Sequence, residues 1–446
     1  MLLGVAACGD DASPFGGLVR VSPASPFPGD CAGTGAHFSD AEVEPWLAVD
    51  PTDPDHLIGA WQQDRWANGG ANGLVAADSR DGGRTWMTSA PPLSACAGGA
   101  LARASDPWVA IGADGAAYFL GLAFHVGSQI LVSRGTGTSW EAPVVLADDT
   151  DPDVLNDKPS LTADPVDPGR IYAVWDRVTG ISHPTMPVGT GPVRFARTVA
   201  GSWEAARTIF DPGIDAQTIG NQIAVLPDGT LVDVFCRITM LSAAAPVAEL
   251  AVIRSTDQGA TWSAPIIAAP MRASGIAKDS VPVRTGDIIP ELAVDRATGA
   301  LRVVWEDGFG GALDGIAMVS SLDGGQTWSA PVQINLDHAH AAFDPMIAIA
   351  GGAIAVSYYD TRDDDPGQPG LQVAAWLASS PDGAAWTEAR QTDAFAIPQL
   401  GDAYFLGDYQ GLAASGDAII PFFAVGTGDP DDPTDIYVRP VRTPLP

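Results

Sequence analysis

The 446 residues carry 23 Lys+Arg against 54 Asp+Glu, a net charge of −31, and that balance excludes a nucleic-acid binder, whose phosphate contacts need clustered cations. Hydrophobic residues make up 46% of the chain, enough for a packed core and too many for wholesale disorder. Gly 50 and Pro 37 together are nearly a fifth of the residues, which with 13 Trp points to many short strands joined by tight turns.

At the N-terminus, Val5-Ala6-Ala7-Cys8 resembles a bacterial lipoprotein cleavage box. The stretch is short and has no basic segment, so the start is expected upstream, with 1–8 a signal remnant and Cys8 the lipidated residue. A frayed terminus with a chance cysteine is the alternative. Residues 9–30, rich in Ser, Pro, Gly and Asp, read as a tether that ends in a strand around Leu18-Val19-Arg20-Val21. No apolar run reaches the roughly 20 residues of a membrane helix, so the expectation is a lipid anchor rather than a span. The protein would then be an exported cell-surface or outer-membrane lipoprotein, or secreted. Export permits disulfides. Cys31 and Cys96 lie in Gly/Ala-rich loops flanking the first repeat and are predicted to pair, whereas Cys236, in an apolar run, reads as a buried small hydrophobe.

Seven segments share one pattern, starting at Pro45 (PWLAV), Pro107 (PWVAI), Pro159 (PSLTA), Asn221 (NQIAV), Pro290 (PELAV), Pro345 (PMIAI) and Gln410 (QGLAA), spaced about 61 residues apart. Each is followed by an Asp/Gly/Pro turn and a second apolar run such as LIGAW (57–61), IYAVW (171–175) or LRVVW (301–305). Such pairs read as antiparallel hairpins. No segment sustains a 3.6-residue period, so the fold class is all-β. Units of this size cannot cover both faces of their sheets alone and are expected to pack radially as a β-propeller within a single domain, 31–446. Seven repeats imply seven blades, the last completed by the N-terminal strand; a six-bladed ring with one atypical hairpin is the alternative. Closure removes open sheet edges.

A third run in several units ends in S-x-D-x-G-x-T-W: Ser79 to Trp86, Ser255 to Trp262 and Ser321 to Trp328. This motif resembles the Asp box (BNR repeat) of the sialidase superfamily. The resemblance implies a propeller, an exo-α-sialidase-like activity on terminal sugars, and a structural, peripheral role for Asp81, Trp86, Asp257, Trp262, Asp323 and Trp328. Chemically, the Asp and Ser side chains accept backbone amides within the turn while Gly supplies positive φ.

Function is expected on the loops at one rim. Glu44, Asp106, Asp157, Asp287, Asp344 and Asp408 precede inner strands, and Asp64, Arg65, Asp176, Arg237, Glu306, Asp360 and Arg362 follow second strands. The sialidase family uses a Tyr nucleophile assisted by Glu, an Asp acid/base and three arginines, a known exception to two-carboxylate hydrolysis. By that resemblance Tyr409 is the candidate nucleophile, Asp64 or Asp106 the acid, and Arg237 one arginine of the triad. Arg65, Asp408, Arg362 and Arg284 are further candidates for gripping substrate. The family's first arginine is replaced by Val43-Glu44-Pro45, the assisting Glu falls at Gly220 or Asn221, and no third arginine appears where expected. A phenol with pKa near 10 is a weak nucleophile without a base. Two readings follow: a glycan hydrolase, or a non-catalytic surface propeller that binds glycan or protein. Either is expected as a monomer without a cofactor. The acidic runs 148–153, 363–365 and 429–432 suit calcium or solvated loops equally, and no metal is assigned.

Overall fold

The computed structural model describes residues 17–28, 31, 35–124, 126–180 and 189–442; the Val5–Cys8 box, with lipidation at Cys8, and the start of the tether lie outside the described residues. The chain is all-β, without an α-helix among the described residues, and consistent with a propeller. No helix among the described residues is long and apolar enough to cross a membrane. The strands form successive antiparallel meanders. The first meander is Glu42–Val49, Leu57–Arg65, Ala71–Ser79 and Met87–Ser89; the second is Arg103–Ile111, Ala117–Phe124, Ser128–Gly135 and Val144–Asp149. The Ala71–Ala104 pair joins their edges into one eight-stranded sheet, with each meander counted as one sheet of the ring. Inner strands of the following sheets are Val154–Ala163, Ala216–Val225, Glu291–Val294, Ala342–Ala350 and Gly411–Ser415. Each inner strand neighbours the next, and Gly411–Ser415 returns to lie beside Glu42–Val49.

The last sheet takes its outer strand from the opposite end of the chain: Val19 pairs with Val438 and Arg20 with Tyr437. Cys31 and Cys96 are joined as a disulfide across 65 residues. In a chain-entropy picture, closing such a loop contributes about 4 kcal/mol. Cys236 is a free thiol with no exposed surface. The core lies between neighbouring sheets, where second strands deliver Trp61, Trp175, Phe235 and Trp305, all fully buried.

Two local devices distinguish the two ends of the sheets. At one end the third strand runs into the S-x-D-x-G-x-T-W turn. Asp257 accepts the Ser255 hydroxyl (2.8 Å), the Thr261 amide (2.8 Å) and the Thr261 hydroxyl (2.6 Å), and the Trp262 indole donates to the Gly259 carbonyl (3.2 Å). The Asp81 and Asp323 turns repeat these bonds, with the indoles of Trp86 and Trp328 folded onto Gly83 and Gly325. These hydrogen bonds hold Asp257 and Asp323 at about 2. At the other end, five inner strands share a bulge: the register slips between Val43 and Trp46, Ser105 and Trp108, Asp157 and Ser160, Ile219 and Gln222, and Phe343 and Met346. Pro sits in four of these gaps, where its missing N–H costs no ladder bond.

Candidate functional site

The residue opening each bulge adopts positive φ: Glu44 at 54°, Asp106 at 54°, Lys158 at 45°, Gly220 at 72° and Asp344 at 49°. Left-handed backbone at a non-glycine residue costs about 1–3 kcal/mol and persists only where the surroundings enforce it. Here it turns four charged side chains out of the ladder at one end of the sheets. Lys158 Nζ lies 2.6 Å from Asp408, 3.5 Å from Asp106 and 3.6 Å from Glu44, joining residues of four different sheets. Ser105 donates to Asp106 (3.0 Å), and the Gln62 amide bridges Glu44 and Ser105. The guanidinium of Arg284 reaches Asp408 through two parallel bonds, 2.8 and 2.5 Å, a bidentate grip that fixes orientation as well as charge. Arg284 and Arg65 each approach the Phe405 ring, at 4.9 and 4.8 Å.

Arg284 is held there by an insertion between the fourth and fifth sheets. The hairpin Ile276–Lys278 and Val281–Arg284 pairs with Tyr404–Phe405, setting Arg284 opposite Phe405. Arg284 is 48% exposed, while Asp106, Asp408, Glu44 and Arg65 are buried and the Lys158 side chain is only 9% exposed. Its Nη1 makes no hydrogen bond among the described residues. Below the cluster the axis narrows to a cavity of about 10 Å³, room for about one water, lined by Asp106, Lys158, Gly220, Ile289 and Tyr409 among others.

Charges within the cluster are strongly differentiated. Burial, opposed by Lys158 and reinforced by Asp106 and Asp408, pushes Glu44 up to about 7. Burial also works against ionised Asp408, yet Lys158 and Arg284 outweigh it and hold that carboxyl well below the usual range. Asp106 is lowered in the same way, chiefly by Lys158. The neighbouring Asp157 is pushed up to about 6 by burial and by Asp106. Around one ammonium, Glu44 and Asp157 are thus pushed toward the protonated form while Asp106 and Asp408 are held ionised.

Five of the expected site residues meet here: Asp106, Arg65, Asp408, Arg284 and Tyr409. Tyr409 is buried, its ring set beside the stacked pair Trp46 and Trp108 and beneath Lys158, and its hydroxyl donates to the Pro107 carbonyl at 3.4 Å. Burial and the surrounding carboxylates raise the phenol well above its ordinary value. The other three lie in separate networks. Asp64, with φ 61°, accepts Ser25 (2.7 Å), the Asp40 amide (2.9 Å) and Asn72 (3.1 Å), so it ties the N-terminal segment to the first sheet. Arg237 pairs with its cross-strand neighbour Glu249 at 2.6 Å. Arg362 is clamped by Asp360 (2.5 Å) and Glu388 (3.1 Å) over the Trp376 ring. Lys158 and Phe405 are the members that sequence reasoning missed. Aligning the repeats on Pro45, Pro107 and Pro159 would have found the lysine, because it occupies the position of Glu44 and Asp106; Asp157, the acid expected there, is one residue off.

The sequence matches no protein-family model and no curated protein. In fold the chain resembles sialidases and other glycosidases among solved structures, at low identity. It is similar to the polysaccharide lyase Uly1 (TM-score 0.53, 11% identity, covering 92% of this chain and 91% of that one). A Dyadobacter fermentans protein of unknown function aligns over 96% of this chain and 99% of its own, at 12% identity and TM-score 0.50. The Hadza microbial sialidase Hz136 matches at TM-score 0.49 and 15% identity, over 87% of this chain and 75% of that one. These likenesses concern the fold.

Proposed function

We propose that this chain is an exported, seven-bladed propeller that recognises an acidic glycan at the mouth around Arg284. The observation that carries the reading is Arg284 itself: half exposed, locked in place by Asp408, and left with a spare donor pointing away from its partner. An orientation-locked guanidinium suits a carboxylate or sulfate, because it has little side-chain entropy left to lose on binding. Sugar-acting proteins among its fold neighbours agree with a glycan ligand. Export is supported by the Cys31–Cys96 disulfide, which persists in oxidising compartments. The order of the inner strands supports seven blades.

A hydrolytic reading draws support from Glu44, which at about 7 carries a proton near neutral pH beside ionised Asp106, the pairing that general acid–base chemistry requires. Tyr409 supports neither a sialidase mechanism nor any other nucleophilic role, since its hydroxyl faces a backbone carbonyl.

Calorimetric titration with acidic and neutral oligosaccharides of matched length, together with a panel of aryl glycosides that includes the sialic acid conjugate, tests both readings. Acidic glycans are expected to saturate the protein, and Arg284→Ala to weaken them at least about tenfold while leaving neutral ones unchanged. Turnover that Glu44→Gln abolishes establishes the hydrolase; turnover that Tyr409→Phe abolishes overturns the assignment of the tyrosine. Equal binding of acidic and neutral glycans removes the role given to Arg284.

A further inference from the structure

Away from the mouth, three carboxylates face one another where the first and last sheets meet. Glu42 opens the inner strand of the first sheet, and Asp432 and Asp435 lie on Asp432–Val438 of the last. One oxygen from each falls within 4.8 Å of the others. The backbones are already joined here: Ala41 bridges Thr434, and the Thr434 hydroxyl both accepts the Glu42 amide and donates to the Glu42 carbonyl, each at 2.8 Å. Arg20, on the closing N-terminal strand, contacts Asp435 (2.5 Å) and Asp432 (3.4 Å). One guanidinium against three carboxylates leaves two negative charges unbalanced.

Hydrogen bonding is also incomplete. Glu42 is 1% exposed, and only one of its oxygens is used, by the Gln63 amide at 2.5 Å; Oε2 is buried with no partner among the described residues. Asp432 Oδ1 is likewise buried and unpartnered. A buried carboxylate oxygen without a donor costs several kcal/mol unless it is neutralised or coordinated. This seam lacks positive charge.

We propose that Glu42, Asp432 and Asp435 form a divalent-cation site of the calcium class that ties the first sheet to the last. Calcium takes oxygen ligands at about 2.3–2.6 Å, so ligands around one ion stand no more than about 5 Å apart, and the three oxygens here lie within 4.8 Å of one another. Magnesium dehydrates reluctantly and keeps several waters, so a set of protein carboxylates on two strands suits it less. The ion supplies the two missing positive charges, takes up Glu42 Oε2 and Asp432 Oδ1, and links the strand that starts the ring to the strand that ends it. Arg20 stays on the outer side as the remaining counter-charge.

The test compares thermal unfolding of the full chain stripped with EGTA, then supplied with CaCl2 or MgCl2, and counts bound ions by calorimetric titration with CaCl2. At about 100 times Kd, calcium is expected to raise Tm by about 2–3 °C, with magnesium giving less. Asp432→Asn, at a partly exposed position that keeps the side-chain shape, is expected to abolish that shift, and Glu42→Gln to do the same. Should Glu42→Gln fail to fold, Asp432→Asn decides alone. No shift and no heat of binding in the wild-type protein overturns the proposal. So does a calcium shift that survives Asp432→Asn, because the ion would then sit at another acidic loop such as 148–153 or 363–365.

Discussion

Lys158 sits among Glu44, Asp106, Asp157 and Asp408, and its near-complete burial is tolerable only because they are there. Breaking a buried ion pair from one side leaves uncompensated charge and costs about 3–5 kcal/mol. Lys158→Met is therefore expected to destabilise the protein by about that amount in urea unfolding at pH 7, although methionine fills much the same volume. A loss below about 1 kcal/mol would mean that the carboxylates can take up protons or water instead, and that the lysine does not organise them. The same residue shows where sequence reading stops. The chain places acids and arginines before and after the strands, but which side chain faces the mouth is set by a bulge, and a slip of one residue exchanges the two faces of a strand. That is why Lys158 rather than Asp157 reaches Asp408. It is also why Asp64, one position before Arg65, turns to Ser25 and Asp40 while Arg65 turns to Phe405.

Among the elements, the most legible were those specified by local chemistry. The S-x-D-x-G-x-T-W turn needs no tertiary information: its Asp and Ser accept its own amides, and its glycine supplies the φ of +85° found at Gly259. The hairpin Ile276–Lys278 and Val281–Arg284 was not legible, because it interrupts the repeat and pairs in parallel with Tyr404–Phe405 more than a hundred residues later. The turns also report on packing. A Cβ placed on Gly259 would stand 2.6 Å from the Phe195 ring of the preceding sheet. Gly259→Ala therefore combines a strained backbone with an overpacked contact, and each effect destabilises by about 1–3 kcal/mol. A drop in Tm with unchanged glycan affinity is expected, since the turn lies at the end of the sheets opposite Arg284. A loss of affinity at full stability would show that the two ends are coupled.

At the scale of the whole molecule, the net charge of −31 and the buried acids act in the same direction. Glu44 at about 7, Asp157, Asp360 and Asp435 at about 6, and Glu291 at about 8 all hold protons in the folded chain that the unfolded chain releases nearer pH 4. Where the folded state binds more protons, stability falls as pH rises. These groups therefore weaken the fold progressively from about pH 4.5 to 8. His56, bonded to Asp50 at 2.9 Å and Asp78 at 3.0 Å, adds to the trend: its raised value stabilises fully below the unfolded value near 6.5 and is lost as pH climbs through the folded one. Asp106, Asp408, Asp257 and Asp323 are depressed, so their contribution is present above about pH 4 and disappears as pH drops towards their folded values. The two slopes meet at a stability maximum near pH 5. Thermal melts of EGTA-treated protein between pH 4 and 8 should show Tm highest there and lower at pH 8, with added NaCl narrowing the gap by screening self-repulsion. A Tm that rises steadily from pH 5 to 8 would mean that the buried carboxyls are ionised and compensated at neutral pH, and that the chain carries its charge without strain.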